Sequence, residues 1–216
     1  MNLTDLMKYE LPLPFETDSD EVKEQYALFH RLKKYVAEFD STGLGRKVYG
    51  KFLEEYDTPT PFHGRLKAKI QDYVSRFTSL NDKWFVFLGS RGTGKTYAAS
   101  VIANELLKAG YFVRYTSLPR LLSDIKRGYS NKNDVTEALI KADYLVIDEF
   151  GTSKLSDDDY RNLFILIDSR YADGRATVVI SNANDLNFLG EALVDRFVEV
   201  AEVILFQGES LRGKNG

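Results

Sequence analysis

Cysteine is absent from the 216 residues, and histidine occurs only as His30 and His63. The first absence excludes disulfides and thiolate metal sites, and two histidines argue against a histidine-based metal centre. No apolar run approaches the ~20 residues that span a bilayer. The opening Met1-Asn2-Leu3-Thr4-Asp5 lacks the basic-then-apolar pattern of a secretory leader. No membrane contact and a cytoplasmic location are therefore expected. A large charge of either sign is missing too: formal net charge is −3, so any nucleic-acid contact has to come from a local patch. The remainder is globular material, 44% hydrophobic and 28% charged, enough for one domain of ordinary size, with room for a small appendage.

One stretch organises the chain. Trp84 to Leu88 is aromatic and aliphatic, bounded by Asn81-Asp82 and Gly89, and predicts a short buried strand. It runs into Gly89-Ser90-Arg91-Gly92-Thr93-Gly94-Lys95-Thr96, which fits the spacing G-x-x-x-x-G-K-[ST], and then into a helical run beginning at Tyr97. Such a loop turns backbone N–H groups inward around a phosphate and opens onto a helix N-terminus, where unpaired amides and the dipole face the same anion. The dipole contributes only about 0.3–2 kcal/mol, whereas micromolar nucleotide binding needs roughly 8. Lys95 on the β and γ phosphates and a Thr96 hydroxyl on Mg²⁺ make up the difference. ATP and Mg²⁺ are the expected cofactors, with Gly89 to Tyr97 as the contact set. The bland alternative is a glycine-rich strand-to-helix turn with an exposed lysine.

Around this stretch the elements alternate. Residues 1 to about 18 form a loose lead-in. Val22, Tyr26, Phe29, Leu32, Val36 and Phe39 step at helical spacing from Ser19, giving an amphipathic helix whose face serves either the core or a partner. Two more helices are expected over Lys47 to Tyr56 and around Leu66, Ile70, Tyr73 and Phe77. After the loop helix, which stops at Gly110, come strands at Tyr111 to Tyr115, Tyr144 to Ile147, Thr177 to Ser181 and Val203 to Phe206. Helices are expected from Ser117 to Lys126, Val135 to Ala142, Asp157 to Ala172 and Leu193 to Val198, with a loop from Gly128 to Asn133. The alternation predicts a mainly parallel sheet covered on both faces.

Asp148 and Glu149 end the strand at Ile147, the position where open α/β sheets bind ligands. There Asp148 holds magnesium and Glu149 orients or deprotonates a water; an ordinary solvated strand end is the competing explanation. Asp148-x-x-Gly151 and Asn131-Lys132-x-Asp134 match GTPase signatures singly. Their order is reversed and the second falls in a polar loop, so the GTPase reading is rejected. Asn182 ends a strand with an amide suited to the γ-phosphate, unless it merely forms a turn. Arg196 is either a functional cation or a surface ion pair with Asp195 or Glu199.

These parts, with Leu-Val-Ile-Asp-Glu-Phe-Gly from Leu145, Ser-Arg-Tyr from Ser169, Thr-Val-Val-Ile-Ser-Asn from Thr177 and Gly208-x-Ser210-x-Arg212, resemble the AAA+ ATPases of the DnaC and IstB group. The resemblance spans about residues 40 to 212. It implies a P-loop NTPase fold, a parallel five-stranded sheet sandwiched by helices. A short helical N-terminal region over 1–60 would meet partners, the ATPase domain would occupy 61–216, and the roughly ten residues after the final strand are too few for a helical lid. The strand ending at Asn182 is then expected between the phosphate-loop strand and that of Asp148, making Asn182 a sensor of the γ-phosphate. Arg196 matches the finger that acts on a neighbour's ATP, while the missing lid argues against Arg212 as a second sensor. Lys95, Glu149, Asn182 and Arg196 form the implied catalytic set, and Thr96 and Asp148 the Mg²⁺ ligands.

The function implied is an ATPase loader of a hexameric replicative DNA helicase, slow unless self-associated on ATP or DNA. Single-stranded DNA would meet Arg120, Lys126, Arg127, Tyr129 and Lys132, although a solvated basic helix face accounts for the same residues. Alternatives are a transposase-associated ATPase acting on duplex DNA and a nucleotide-switch adaptor with negligible turnover. A small-molecule kinase ranks lower, because Asp148-Glu149 suits water activation better than acceptor binding.

Overall fold

Among the described residues, five short strands pair into one parallel sheet: β1 (Trp84–Gly89), β2 (Val113–Ser117), β3 (Tyr144–Phe150), β4 (Ala176–Ser181) and β5 (Ala201–Phe206). Their order is β2-β3-β4-β1-β5. The computed structural model describes residues 3–15, 17–78, 83–128, 134–151, 155–208 and 211; the side chains at 4, 127, 134, 135 and 188 fall outside that description. Among the described residues seven α-helices surround the sheet: α1 (Asp20–Glu38), α2 (Pro61–Ser75), α3 (Lys95–Lys108), α4 (Leu118–Gly128), α5 (Asp134–Lys141), α6 (Asp157–Ala172) and α7 (Glu191–Val200).

Alternation along each strand divides the core in two. Phe85 and Phe87 of β1 point to a layer shared with Tyr35, Ile70 and Ile102 of α1, α2 and α3. Trp84, Val86 and Leu88 point the other way, to Leu121, Leu139, Leu166 and Phe197 of α4, α5, α6 and α7. Burial on both faces explains why β1, β3 and β4 are nearly continuous apolar runs. Helix starts follow local chemistry. Ser19 Oγ accepts from the Val22 amide, Thr60 Oγ1 from that of His63 with Pro61 at the first helical position, and Ser156 Oγ from that of Asp159.

The helix expected over Lys47 to Tyr56 does not form. Two short 3₁₀ turns, Arg46–Val48 and Leu53–Glu55, stand there instead. Side chains from neighbouring helices satisfy the backbone groups that a helix would have paired internally. Asn104 Nδ2 donates to the carbonyls of Val48 and Lys51 at 2.7 and 2.8 Å, Glu105 Oε1 accepts from the Leu53 amide at 2.8 Å, and Tyr35 OH accepts from the Gly50 amide at 2.8 Å. Gly50 sits at φ 68°, a conformation that interrupts any helix.

The face of α1 turns out to be divided. Of the expected stripe, Phe39 is buried, Tyr26, Phe29, Leu32 and Val36 are half-buried and Val22 stays 45% exposed, while Tyr35, outside that stripe, is the residue of α1 that is fully buried. The N-terminal region thus shares one core with the phosphate-loop helix.

Candidate functional site

The carboxyl ends of β1, β4 and β3 lie side by side, and each carries a residue singled out from the sequence. At the end of β1 the chain turns through Gly92 (φ 83°) and Gly94 (φ 96°), both left-handed, and Gly94 caps α3. Thr93 Oγ1 donates to the Ser90 carbonyl at 2.8 Å. Lys95, buried at 5% exposure, donates to the carbonyls of Gly89 and Ser90 at 2.6 and 2.7 Å, so the loop curls around its ammonium. Gly89 is glycine for a different reason. A Cβ there would stand 2.1 Å from the Phe206 carbonyl oxygen, so β5, and not a ligand, forbids a side chain.

Thr96 is exposed, and its Oγ1 donates at 2.7 Å to Oδ2 of Asp148, 52 positions further along the chain. That bond settles where the Thr96 proton points and leaves the oxygen lone pairs available. Asp148 is buried, and its Oδ1 accepts from the Glu149 amide at 2.6 Å. Glu149 itself sits at φ 59°, where the pairing of β3 with β4 slips between Ile147 and Phe150. A left-handed residue with a Cβ costs of order 1–3 kcal/mol and is retained where surrounding structure dictates it. The irregularity leaves Glu149 exposed beside the buried Asp148.

Among the described residues no three His, Asp or Glu side chains converge as a metal cage. The oxygen pair Thr96 and Asp148 suits Mg²⁺, which keeps several waters and takes the rest of its shell from substrate phosphates.

β4 lies between β1 and β3, as expected, and Asn182 follows it directly on the exposed side. Its neighbours are anchored: Ser181 Oγ donates to the Phe150 carbonyl at 2.8 Å, and the Ala183 carbonyl accepts from the Gly89 amide at 3.2 Å. The three strand ends are thus hydrogen-bonded to one another around Asn182. Tyr97, placed in the contact set from the sequence, stacks its ring on Tyr56 with centroids 5.6 Å apart. Arg196 pairs with neither Asp195 nor Glu199; Asp168 on α6 accepts from its Nε and Nη2 at 3.1 and 3.0 Å. The guanidinium also lies over Phe164.

One charged residue acquires a role that the sequence analysis did not give it. Arg170 is fully buried, and its guanidinium donates to the carbonyls of Leu139, Ile140, Ala142 and Ala176 and to Thr177 Oγ1. Three of those carbonyls belong to the last turn of α5 or just beyond it, where a helix leaves acceptors unpaired. Burial, and secondarily Arg175, lowers its pKa to about 9, still above neutral, so it remains a cation. The signal lay in spacing: Leu163, Leu166, Ile167 and Arg170 form one inward stripe of α6.

Of the proposed DNA patch, Arg120 pairs with Asp124 at 3.6 Å and Lys126 with Asp159 at 3.0 Å. The Arg127 side chain, Tyr129 and Lys132 lie outside the described residues, as do most of the Gly128 to Asn133 loop, the Asn131-Lys132 pair, Ser210 and Arg212. The residue before Arg212 is informative nonetheless. The Leu211 amide donates to the Gly92 carbonyl at 2.9 Å, so the chain returns across the phosphate loop after β5.

A parallel five-stranded sheet in this order, with this loop on β1 and paired acids on β3, defines a P-loop ATP-binding protein of the AAA+ class. More narrowly, the chain belongs to the IstB-like ATP binding protein family, whose model matches residues 49–216. The replicative helicase loader DnaC of Buchnera aphidicola subsp. Baizongia pistaciae is 31% identical over 154 residues, covering 67% of this chain and 61% of that protein. The insertion sequence IS232 putative ATP-binding protein of Bacillus thuringiensis subsp. berliner is 31% identical over 185 residues, covering 80% and 72%. Among solved structures, the crystal structure of the DnaC helicase loader superposes with a TM-score of 0.67 at 22% identity, over 76% of this chain and 100% of that one. Among the described residues no helix is long and apolar enough to cross a membrane.

Proposed function

We propose that this chain is a Mg²⁺-dependent ATPase that loads a replicative DNA helicase. The observation that carries the ATP chemistry is the 2.7 Å bond from Thr96 to Asp148, which joins the phosphate loop to the acid-bearing strand. In this reading Gly89 to Thr96 cradle the triphosphate, with Lys95 turning from its loop carbonyls to the β and γ phosphates. Thr96 and Asp148 hold Mg²⁺, which supplies neutralising charge on the phosphate oxygens. Glu149 aligns the attacking water and accepts its proton. Asn182 contacts the γ-phosphate, and Arg196 reaches the nucleotide of an adjoining subunit, so turnover is slow until subunits assemble.

The loader assignment is supported by the DnaC relative. Single-stranded DNA is the proposed second ligand, engaged by Arg120 in the first turn of α4 and Lys126 near its last. Their ion pairs leave the basic side chains 66% and 61% exposed, open to a phosphate. A second reading, an ATPase serving a transposase on duplex DNA, is favoured by the equally similar IS232 relative.

Calorimetry with ATP and Mg²⁺ tests the chemistry: the wild-type chain binds and Lys95→Ala does not. Retained tight binding and turnover in Lys95→Ala refutes the loop's role. Co-purification with a hexameric helicase, against co-purification with a transposase, separates the two clients.

A further inference from the structure

Asp148 has a partner that the phosphate-loop pattern does not require. Besides Thr96 Oγ1 and the Glu149 amide, it accepts a 2.6 Å hydrogen bond from Tyr115 OH, on the same Oδ2 atom that Thr96 engages. Tyr115 lies on the edge strand β2, opposite Val146, with Ser117 opposite Asp148. Its ring therefore reaches two residues along the neighbouring strand, a diagonal that a long aromatic side chain spans. A phenol is protonated at neutral pH and donates a single hydrogen, here to the carboxylate.

The backbone of Tyr115 is held from the opposite direction. Gly43 sits at φ 86°, and a Cβ there would stand 2.2 Å from the Tyr115 carbonyl oxygen, so the turn after α1 is in direct backbone contact with β2. That turn is tied together by Thr42, whose Oγ1 donates to the Phe39 carbonyl at 2.7 Å and accepts from the Leu44 amide at 3.0 Å. Phe39 and Tyr35 at the end of α1 are buried in the same core. A continuous line of contacts thus runs from α1 through Phe39, Gly43 and Tyr115 to Asp148.

We propose that Tyr115 is a positioning residue for the metal-holding carboxylate, and that the Phe39–Gly43 turn sets its place, so that the seating of the N-terminal helix is registered at the Mg²⁺ site. The inference rests on the ATP–Mg²⁺ reading above and adds a residue to it. With two donors on Oδ2 and one on Oδ1, the carboxylate is held against rotation; removal of the phenol oxygen leaves Thr96 and the Glu149 amide as its two donors and loosens its orientation. Outer partners of metal ligands typically change metal affinity by about 10- to 100-fold when removed.

The test uses the full chain and a non-hydrolysable ATP analogue, with affinity measured by calorimetry in EDTA and across a Mg²⁺ titration. Tyr115→Phe is expected to bind the analogue in EDTA within about twofold of wild type, while the Mg²⁺ midpoint for tighter binding rises about tenfold or more. Gly43→Ala should raise the same midpoint, and the double variant should go no further than Tyr115→Phe, since both act through one contact. If Gly43→Ala does not fold, Thr42→Val loosens the same turn and takes its place. Wild-type binding with an unmoved midpoint in Tyr115→Phe overturns this proposal alone, as does equal weakening with and without Mg²⁺, which marks general damage. Fully additive shifts overturn the link to the N-terminal turn. No binding by the wild-type chain defeats the ATP reading, and this proposal with it.

Discussion

Arg196 donates two hydrogen bonds to a single oxygen of Asp168, at 3.1 and 3.0 Å, within its own subunit. Both side chains are partly exposed, 33% and 43%, so the pair is worth at most about 1 kcal/mol and is readily exchanged for a neighbour's phosphate. Asp168→Ala is accordingly expected to leave assembled ATPase activity within about twofold of wild type. Arg196→Ala should lower it by about 10³ or more, the range of an arginine supplied in trans. Mixing Arg196→Ala with Lys95→Ala subunits should restore activity, since one competent shared site can form. A mixture no more active than either variant alone removes the trans role.

Glu149 is held in a left-handed conformation that glycine adopts freely. Glu149→Gly should therefore stabilise the fold by up to about 1 kcal/mol, raising the melting temperature by roughly 2–4 °C for a chain of this size. The same change should lower hydrolysis by about 10² to 10⁴ and leave nucleotide affinity intact. Thermal melting and single-turnover phosphate release measure the two effects separately; a loss of stability would show that Glu149 is not strained.

Arg170 satisfies four carbonyls and a hydroxyl from a fully buried position. Arg170→Ala strands those acceptors, and a cost of about 3 kcal/mol or more is expected, on the order of a 10 °C fall in melting temperature. Arg170→Lys should recover little of it, because a compact ammonium cannot match the planar fork. A near-normal melting temperature for the lysine variant would reduce the site to a buried charge without geometric demands.

His63 supplies a pH dependence. Its Nδ1 lies 2.8 Å from Thr60 Oγ1, its Nε2 is buried without a hydrogen-bond partner among the described residues, and burial lowers its pKa below the ordinary 6.5. Because the folded value is the lower one, the unfolded chain takes up a proton first as pH falls. The stability is fully present above pH 6.5, declines below it, and levels off once the folded-state histidine also titrates. Melting temperature should decline from pH 7 to 5.5, and His63→Gln should flatten that slope. An unchanged slope in the variant assigns the decline to other groups.

Much of the candidate site was legible because its residues fall in short contiguous runs. The glycine, lysine and threonine spacing of the loop, the acids after an apolar run and the amide after another all sit on elements whose period and ends are local signals. The helix expected over Lys47 to Tyr56 failed because Asn104 and Glu105, some fifty residues away, take its backbone groups. Arg170 looked like part of a motif and proved to be a buried clamp, and Asp168 was not among the acids weighed as partners of Arg196. Contacts of this kind depend on which helix lies beside which, and no short window of residues encodes that.

The amino-acid order by itself determined the loop spacing, the number of strands and the identity of the acids, since backbone preference and burial pattern act over a few residues; β2 begins two residues later than expected, at Val113. The tertiary structure alone decided that Thr96 and Tyr115 share one oxygen of Asp148, that β5 and not a ligand requires Gly89, and that the turn after α1 presses on β2. Those outcomes follow from strand order and register, through which residues distant in the chain come within hydrogen-bond reach.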